Sequence, residues 1–397
     1  MKKFLCLLFL FYSLSAQAIE LVIGTTFSFE ATEFLVKQWQ TYSGVKNVRL
    51  INRTTHSLEQ LFNQPHLENV DVILSSSPVL FHNLSKKQLL LPLPEKYIQV
   101  NNQTVPNQLQ QYIVPIAYSG YGILSNRRLL RKFNLSEPKS WYDLLNPKYG
   151  NNIAISSPSR SGTNLIILEM LLQQKGWQQG WRDIMQLSAY ISSISSRSFN
   201  VTDQVQTGLS ISGITIDSYA LNLKEDTNLV FHYFPQSIIS ATFLAIHKNT
   251  KNKHNALSFI DFLLSDKGQN IISSPNFAKY PINNKNLPFS KSHLNYDLMF
   301  SRQLVNERLF DIAITFRLNQ LKEIWKTTER IEKKENKNLD RIRSLLTEIP
   351  VTITQIEDKT FLERFNQDKT YRLQQENSWE QFFQERTEYI LSLLEER

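Results

Sequence analysis

From Ile19 onward, short apolar runs alternate with amphipathic stretches. Ile19 to Thr25 (IELVIGT) is a strand-like run entering a turn, Thr32 to Tyr42 carries Phe34, Leu35 and Trp39 on one helical face, and Val48 to Arg53 is strand-like again. The unit predicted is β-α-β. Leu58 to Phe62 predicts another helix, and Val70-Asp71-Val72-Ile73-Leu74 an apolar strand ending in Ser75-Ser76-Ser77-Pro78. Strands alternating with helices predict an open α/β sheet, and such sheets bind ligands beyond the carboxyl ends of their strands.

The pattern changes near residue 295. Beyond it, Val305, Leu309, Ile312 and Phe316, then Leu321, Ile324, Ile331 and Leu339, recur at helical spacings. Pro350 ends that region, and Phe361, Phe365, Leu373, Trp379, Phe382, Ile390 and Leu394 mark a second one beyond a short Val-Thr-Ile-Thr stretch. Charge follows the same division: residues 19–294 carry 25 basic and 17 acidic side chains, residues 295–397 carry 17 and 19. No glycine follows Gly268, and Pro350 is the only proline after Pro288. The expectation for 295–397 is a helical hairpin or small helical module.

Hydroxyl residues collect where the predicted strands end: Thr25-Thr26-Phe27-Ser28, Arg53-Thr54-Thr55, and Ser75 to Ser77. Any one such run could be a helix cap; three in succession favour a binding cleft. The most informative segment is Ile153 to Thr163 (IAISSPSRSGT), a strand and hydroxyl-rich turn leading into the apolar helix Leu165 to Leu172. Backbone N–H groups at a helix start attract anions, and Arg160 offers a permanently charged, bidentate clamp. Arg197-Ser198 follows another hydroxyl run, and Arg53 supplies a third guanidinium. Three arginines and a helix terminus suggest a ligand with phosphate or several carboxylates.

Other chemistries lack support. Cys6, the only cysteine, lies in the apolar part of Met1 to Ala18, whose basic start (Lys2, Lys3) and Ser15-Ala16-Gln17-Ala18 end read as a cleaved secretory signal. The mature chain then has no disulfide, thiolate nucleophile or cysteine metal site. The apolar stretch is too short for a membrane anchor, and no later stretch is long and apolar enough to insert. The seven histidines (His56, His66, His82, His232, His247, His254, His293) are scattered, and there is no HExxH or GxSxG motif. The formal net charge of +8 invites nucleic acid, but the basic residues form isolated pairs such as Lys86-Lys87, and no nucleic-acid motif accompanies them. The expectation is a non-enzymatic, cofactor-free binding protein for a small anionic solute.

Read in order, IELVIGTTFS (19–28), PIAYSGYGILSN (115–126), PKSWYDLLNPKYG (138–150), Ile153 to Thr163, GWQQGW (176–181), RSFNV (197–201) and FIDFLLSDKG (259–268) resemble the two-lobed, iron-type class of bacterial periplasmic solute-binding proteins. The resemblance covers roughly residues 19–290. It implies an α/β, type 2 periplasmic-binding-protein fold, to which this chain adds a C-terminal all-helical extension (295–397). Lobe 1 would comprise 19–117 plus 245–294, and lobe 2 118–244. Thr26, Phe27, Arg53, Ser76 and Ser77 would face the ligand from one side. Ser119, Gly120, Tyr121, Ser159, Arg160, Ser161, Gly162, Thr163, Arg197, Ser198, Asp217 and Tyr233 are the candidates opposite, although Tyr121 and Tyr233 could equally fill a core.

Within the class, SPSRSGTN, GWQQGW, SSRSF and Ile216-Asp217 resemble the branch concerned with phosphoglycerate uptake. That branch implies a sensory role, in which the bound receptor acts with a membrane sensor kinase. The alternative is the substrate-binding component of an ABC permease for phosphonate, sugar phosphate or ferric iron. Ferric members use two adjacent tyrosines, whereas Thr215-Ile216-Asp217-Ser218-Tyr219-Ala220 keeps only Tyr219. That departure argues against iron.

Overall fold

The structure, a computed structural model, describes residues 21–64, 69–100, 104–223, 227–289 and 294–397. The expected signal segment Met1 to Ala18 lies outside the described residues. The first sheet contains β1 (Leu21–Thr25), β2 (Val48–Asn52), β3 (Val72–Ser75), β4 (Ile113–Ser119), β10 (Ser240–Ile246) and β11 (Tyr280–Pro281), in the order β11-β4-β10-β3-β1-β2. The second contains β5 (Tyr121–Asn126), β6 (Ile153–Ser156), β7 (Ile191–Ser195), β8 (Ser212–Ile216) and β9 (Leu229–Tyr233), in the order β7-β6-β8-β5-β9. In each, a parallel group (β2-β1-β3; β7-β6-β8) is joined by antiparallel strands. The fold is that of a type 2 periplasmic binding protein with a helical C-terminal region.

One residue, Gly120, separates β4 from β5 and carries the chain between sheets. A Cβ there would stand 2.6 Å from the Phe289 ring and 2.9 Å from that of Tyr233, so only glycine lets the strand switch pack this closely. The chain returns between Tyr233 and Ser240.

β1 is buried throughout and apolar up to Thr25, and helix Phe29–Ser43 covers it with Leu35, Val36 and Trp39. The helix begins one turn before its apolar face, because the Ser28 hydroxyl caps it by accepting from the Ala31 N–H. Gly44, at φ 75°, ends it in the left-handed conformation. Helix Gly162–Lys175 is different: nearly every residue from Gly162 to Leu172 is buried. A helix apolar on all sides needs cover on all sides, and its second cover comes from the C-terminal region.

That region comprises helices Tyr296–Phe310, Leu318–Glu335, Asp340–Thr347, Ile353–Glu357, Lys359–Gln367 and Lys369–Glu395, with a π-helical turn at Asp311–Thr315. It is more finely divided than a hairpin: Asn336, left-handed at φ 49°, stops the second helix well before Pro350. Phe365 and Trp379 stack at 5.2 Å in an apolar core continuous with that of the second-sheet half. The region also binds the second-sheet half through polar contacts inside an apolar seam. Arg302 pairs with Glu169 at 2.8 Å, Trp177 Nε1 donates to the Val351 carbonyl at 2.8 Å, and Lys322 Nζ to the Ser192 carbonyl at 2.9 Å. It touches the first-sheet half where Phe300 stacks on His82 at 4.0 Å.

Candidate functional site

The carboxyl ends of β1, β3, β6, β7 and β8 meet across a cleft between the two sheets. Ten of the expected residues line it: Thr26, Phe27, Ser76, Ser77, Arg160, Ser161, Gly162, Thr163, Arg197 and Ser198. Thr54, Thr55, Ser196, Phe199 and Tyr219 join them. Among the described residues the lining contains no Asp or Glu.

Local hydrogen bonds hold these turns. Thr26 and Ser75 hydroxyls meet at 2.8 Å, and Ser75 Oγ accepts from the Ser77 N–H at 3.1 Å. Ser77 and Ser161 each cap a helix, accepting from Leu80 N and Asn164 N, so both are caps and cleft residues at once. Ser161 and Ser198 hydroxyls lie 3.1 Å apart, tying the β6 and β7 turns together.

The cleft is nearly closed, at about 30 Å³. Two contacts cross it: Gly162 N donates to Thr55 Oγ1 at 3.2 Å, and Arg197 Nη1 donates to Asn52 Oδ1. A Cβ on Gly162 would come within 2.6 Å of Ser77, so glycine is what allows the two halves to meet. Arg197 also lies over the Phe199 ring, 5.3 Å from its centroid. Burial lowers the Arg197 pKa, and Arg53 nearby pushes the same way. The Arg160 side chain is exposed and makes no hydrogen bond or ion pair among the described residues. Two guanidiniums without carboxylate partners among the described residues, beside a capped helix start, make an anion-binding arrangement.

The other expected residues lie elsewhere. Arg53 stays outside the cleft wall, its Nη1 donating to the Asn52 carbonyl at 3.0 Å. Ser159 faces a larger cleft of about 1210 Å³, between helices Thr55–Leu61 and Pro78–Lys86 on one side and the C-terminal region on the other. Arg160 borders both clefts.

Ser119, Gly120, Tyr121, Asp217 and Tyr233 gather at the strand switch. Tyr121 is fully buried and its hydroxyl donates to Ser240 Oγ at 2.6 Å, so this tyrosine fills the core. Asp217 Oδ2 accepts from Gly120 N at 2.8 Å and from the Tyr233 hydroxyl at 3.0 Å. Burial raises its pKa to about 6. Facing this group is Lys279, which sequence reasoning missed: its Nζ donates to Ser119 Oγ at 3.0 Å and Ser218 Oγ at 3.4 Å. A single lysine between Ala278 and Tyr280 carries no local signal of burial, because the fold alone buries it. Among the described residues no cluster of His, Asp or Glu suited to a metal ion occurs.

Known proteins share this architecture. The profile of the bacterial extracellular solute-binding protein family matches residues 68–297. The phosphoglycerate transport regulatory protein of Salmonella typhimurium is 40% identical over 401 residues, spanning 98% of this chain and 100% of that protein. The major ferric iron-binding protein of Neisseria meningitidis is 25% identical over 54% of this chain and 66% of its own length. Among solved structures, the periplasmic binding protein AfuA from Actinobacillus pleuropneumoniae, with fructose-6-phosphate bound, superposes with a TM-score of 0.66 at 18% identity. That superposition covers 75% of this chain and 98% of AfuA. Iron-bound HitA from Pseudomonas aeruginosa gives 0.59 at 19% identity, covering 73% and 98%. The chain belongs to the bacterial extracellular solute-binding protein family.

Proposed function

We propose that the chain is a periplasmic receptor that binds a phosphoglycerate-type anion between its two halves and regulates phosphoglycerate uptake through a membrane sensor kinase. The observation that carries the ligand class is the cleft lining: two arginines, a helix start and a ring of hydroxyls, with no acid among them. Such a lining suits a doubly charged phosphate and repels nothing in it. The regulatory part rests on the identity with the phosphoglycerate transport regulatory protein, which extends through the C-terminal region.

Closure gives the signal its physical basis. A ligand shifts an open–closed equilibrium only by its differential affinity for the two states. A phosphate reached by Arg160 and Arg197 of the second-sheet half and by Thr26 and Ser76 of the first meets both sets only when they approach. The closed form is then what the membrane partner recognises. Export by the Met1 to Ala18 signal places the receptor on the periplasmic side, and its role is binding, not turnover.

A strain lacking this chain tests the role. Phosphoglycerate should no longer induce its transporter, while uptake by a constitutively expressed transporter should persist. Loss of uptake under constitutive expression would instead identify a delivery component of a permease.

A further inference from the structure

Lys279 is 4% exposed and sits just before β11, on the first-sheet side. Its amine reaches Ser119, the last residue of β4, and crosses to Ser218 beyond β8 of the second sheet. It also lies 4.9 Å from the centroid of the Phe27 ring and 5.7 Å from that of Phe277. Phe27 lines the cleft, and Ser218 adjoins Tyr219, which lines it too. The amine therefore stands behind the Phe27 wall of the cleft, at its strand-switch end and just outside its lining, against groups from both halves.

Its local partners are neutral. Among the described residues no carboxylate lies within ion-pair distance of Lys279, and Asp217, the acid that acts on it through space, gives Oδ2 to Gly120 and Tyr233. Burial lowers the amine's pKa to about 8, with Asp217 opposing. A buried cation held by two hydroxyls and two rings is incompletely compensated, and an incoming anion would supply the missing charge.

We propose that Lys279, with Ser119 and Ser218, forms a second anionic subsite that takes the carboxylate of a ligand whose phosphate lies at Arg160, Arg197 and the start of helix Gly162–Lys175. This rests on the phosphorylated-anion reading above and names what distinguishes one phosphate ester from another. Arginines select the phosphate; the lysine selects the acid at the other end. The same amine stands beside Ser218, so a metal cation there would meet a positive charge.

Calorimetric titration of 3-phosphoglycerate and glycerol 3-phosphate, which differ by the carboxylate, tests this. The wild-type protein should prefer 3-phosphoglycerate. Lys279→Met should weaken 3-phosphoglycerate by about tenfold or more, the scale of one hydrogen bond to a charged group, and leave glycerol 3-phosphate nearly unchanged. Equal losses for both esters in a folded variant, or no loss, overturn the subsite. Should Lys279→Met fail to fold, Ser218→Ala must narrow the preference between esters; an unchanged preference overturns the proposal. A wild-type protein that binds both esters equally overturns the carboxylate subsite alone. One that binds neither overturns the phosphate reading and the subsite with it.

Discussion

Asp311 Oδ1, in the π-helical turn of the C-terminal region, accepts a hydrogen bond from Ser157 Oγ at 3.0 Å. Ser157 in turn meets Ser159 Oγ at 2.8 Å, at the head of the turn that carries Arg160. Thr315 Oγ1 donates to the same Asp311 oxygen at 2.7 Å. Single π turns are rare and concentrate at functional sites. Here the turn lets an acid of the added helices hold the anion-binding turn.

Asp311→Ala should therefore act on both stability and binding. It leaves two hydroxyls without their acceptor, at a cost of about 1–3 kcal/mol, and loosens the Arg160 turn. Thermal unfolding and calorimetric titration with a phosphate ester, on the same sample, measure the two effects. A stability loss with unchanged affinity would make Asp311 a brace alone.

Arg302 should be among the most sensitive residues of the C-terminal region. Its partner Glu169 is 0% exposed and also receives a hydrogen bond from Asn306 Nδ2. Arg302→Ala strands a buried carboxylate, which costs about 3–5 kcal/mol; denaturant unfolding reads it directly. Deleting residues 295–397 would uncover the same carboxylate and the apolar back of helix Gly162–Lys175, so the shortened chain should fold poorly.

His82 gives the fold a pH dependence. Burial first, then Lys86, lowers its pKa from 6.5 to about 4, with Asp297 opposing. Its folded-state value lies below its unfolded one, so the folded protein takes up fewer protons. Stability from this group is present above about pH 6.5 and is lost as pH falls toward 4. Unfolding midpoints measured from pH 7 down to 4 should fall more steeply for the wild type than for His82→Phe, which keeps a ring against Phe300.

Gly162→Ala should hold the halves apart. The added methyl meets Ser77 Cβ and Oγ at 2.6 Å, across the contact between the two halves. Overpacking of this size costs about 1–3 kcal/mol, or about 5–150-fold in ligand affinity. Small-angle scattering should show less compaction on adding ligand than in the wild type, with the melting temperature of the free protein little changed.

The legible parts of the sequence were those fixed by near neighbours. Strand ends and helix caps are local, so Thr26, Ser76, Ser77, Ser161 and Ser198 could be read from hydroxyls following apolar runs, and all line the cleft. Capping and ligand lining were rival readings of the Ser75 to Ser77 run, yet at Ser77 one hydroxyl position serves both, as it does at Ser161. Tyr121, Asp217 and Tyr233 depend on the strand switch, which brings separate segments together around Gly120. Lys279 and the Asp311 turn were invisible for the same reason: their partners lie 160 and 154 residues away.

Titrating 3-phosphoglycerate into the wild-type protein and into Arg197→Ala at neutral pH tests the central claim most directly. Saturable one-to-one binding is expected for the wild type, weakened by about 1.5–3 kcal/mol in the variant through loss of a charged hydrogen bond. Absence of binding to the wild type, or equal affinity in the variant, would contradict a phosphate held by Arg197 in the closed cleft.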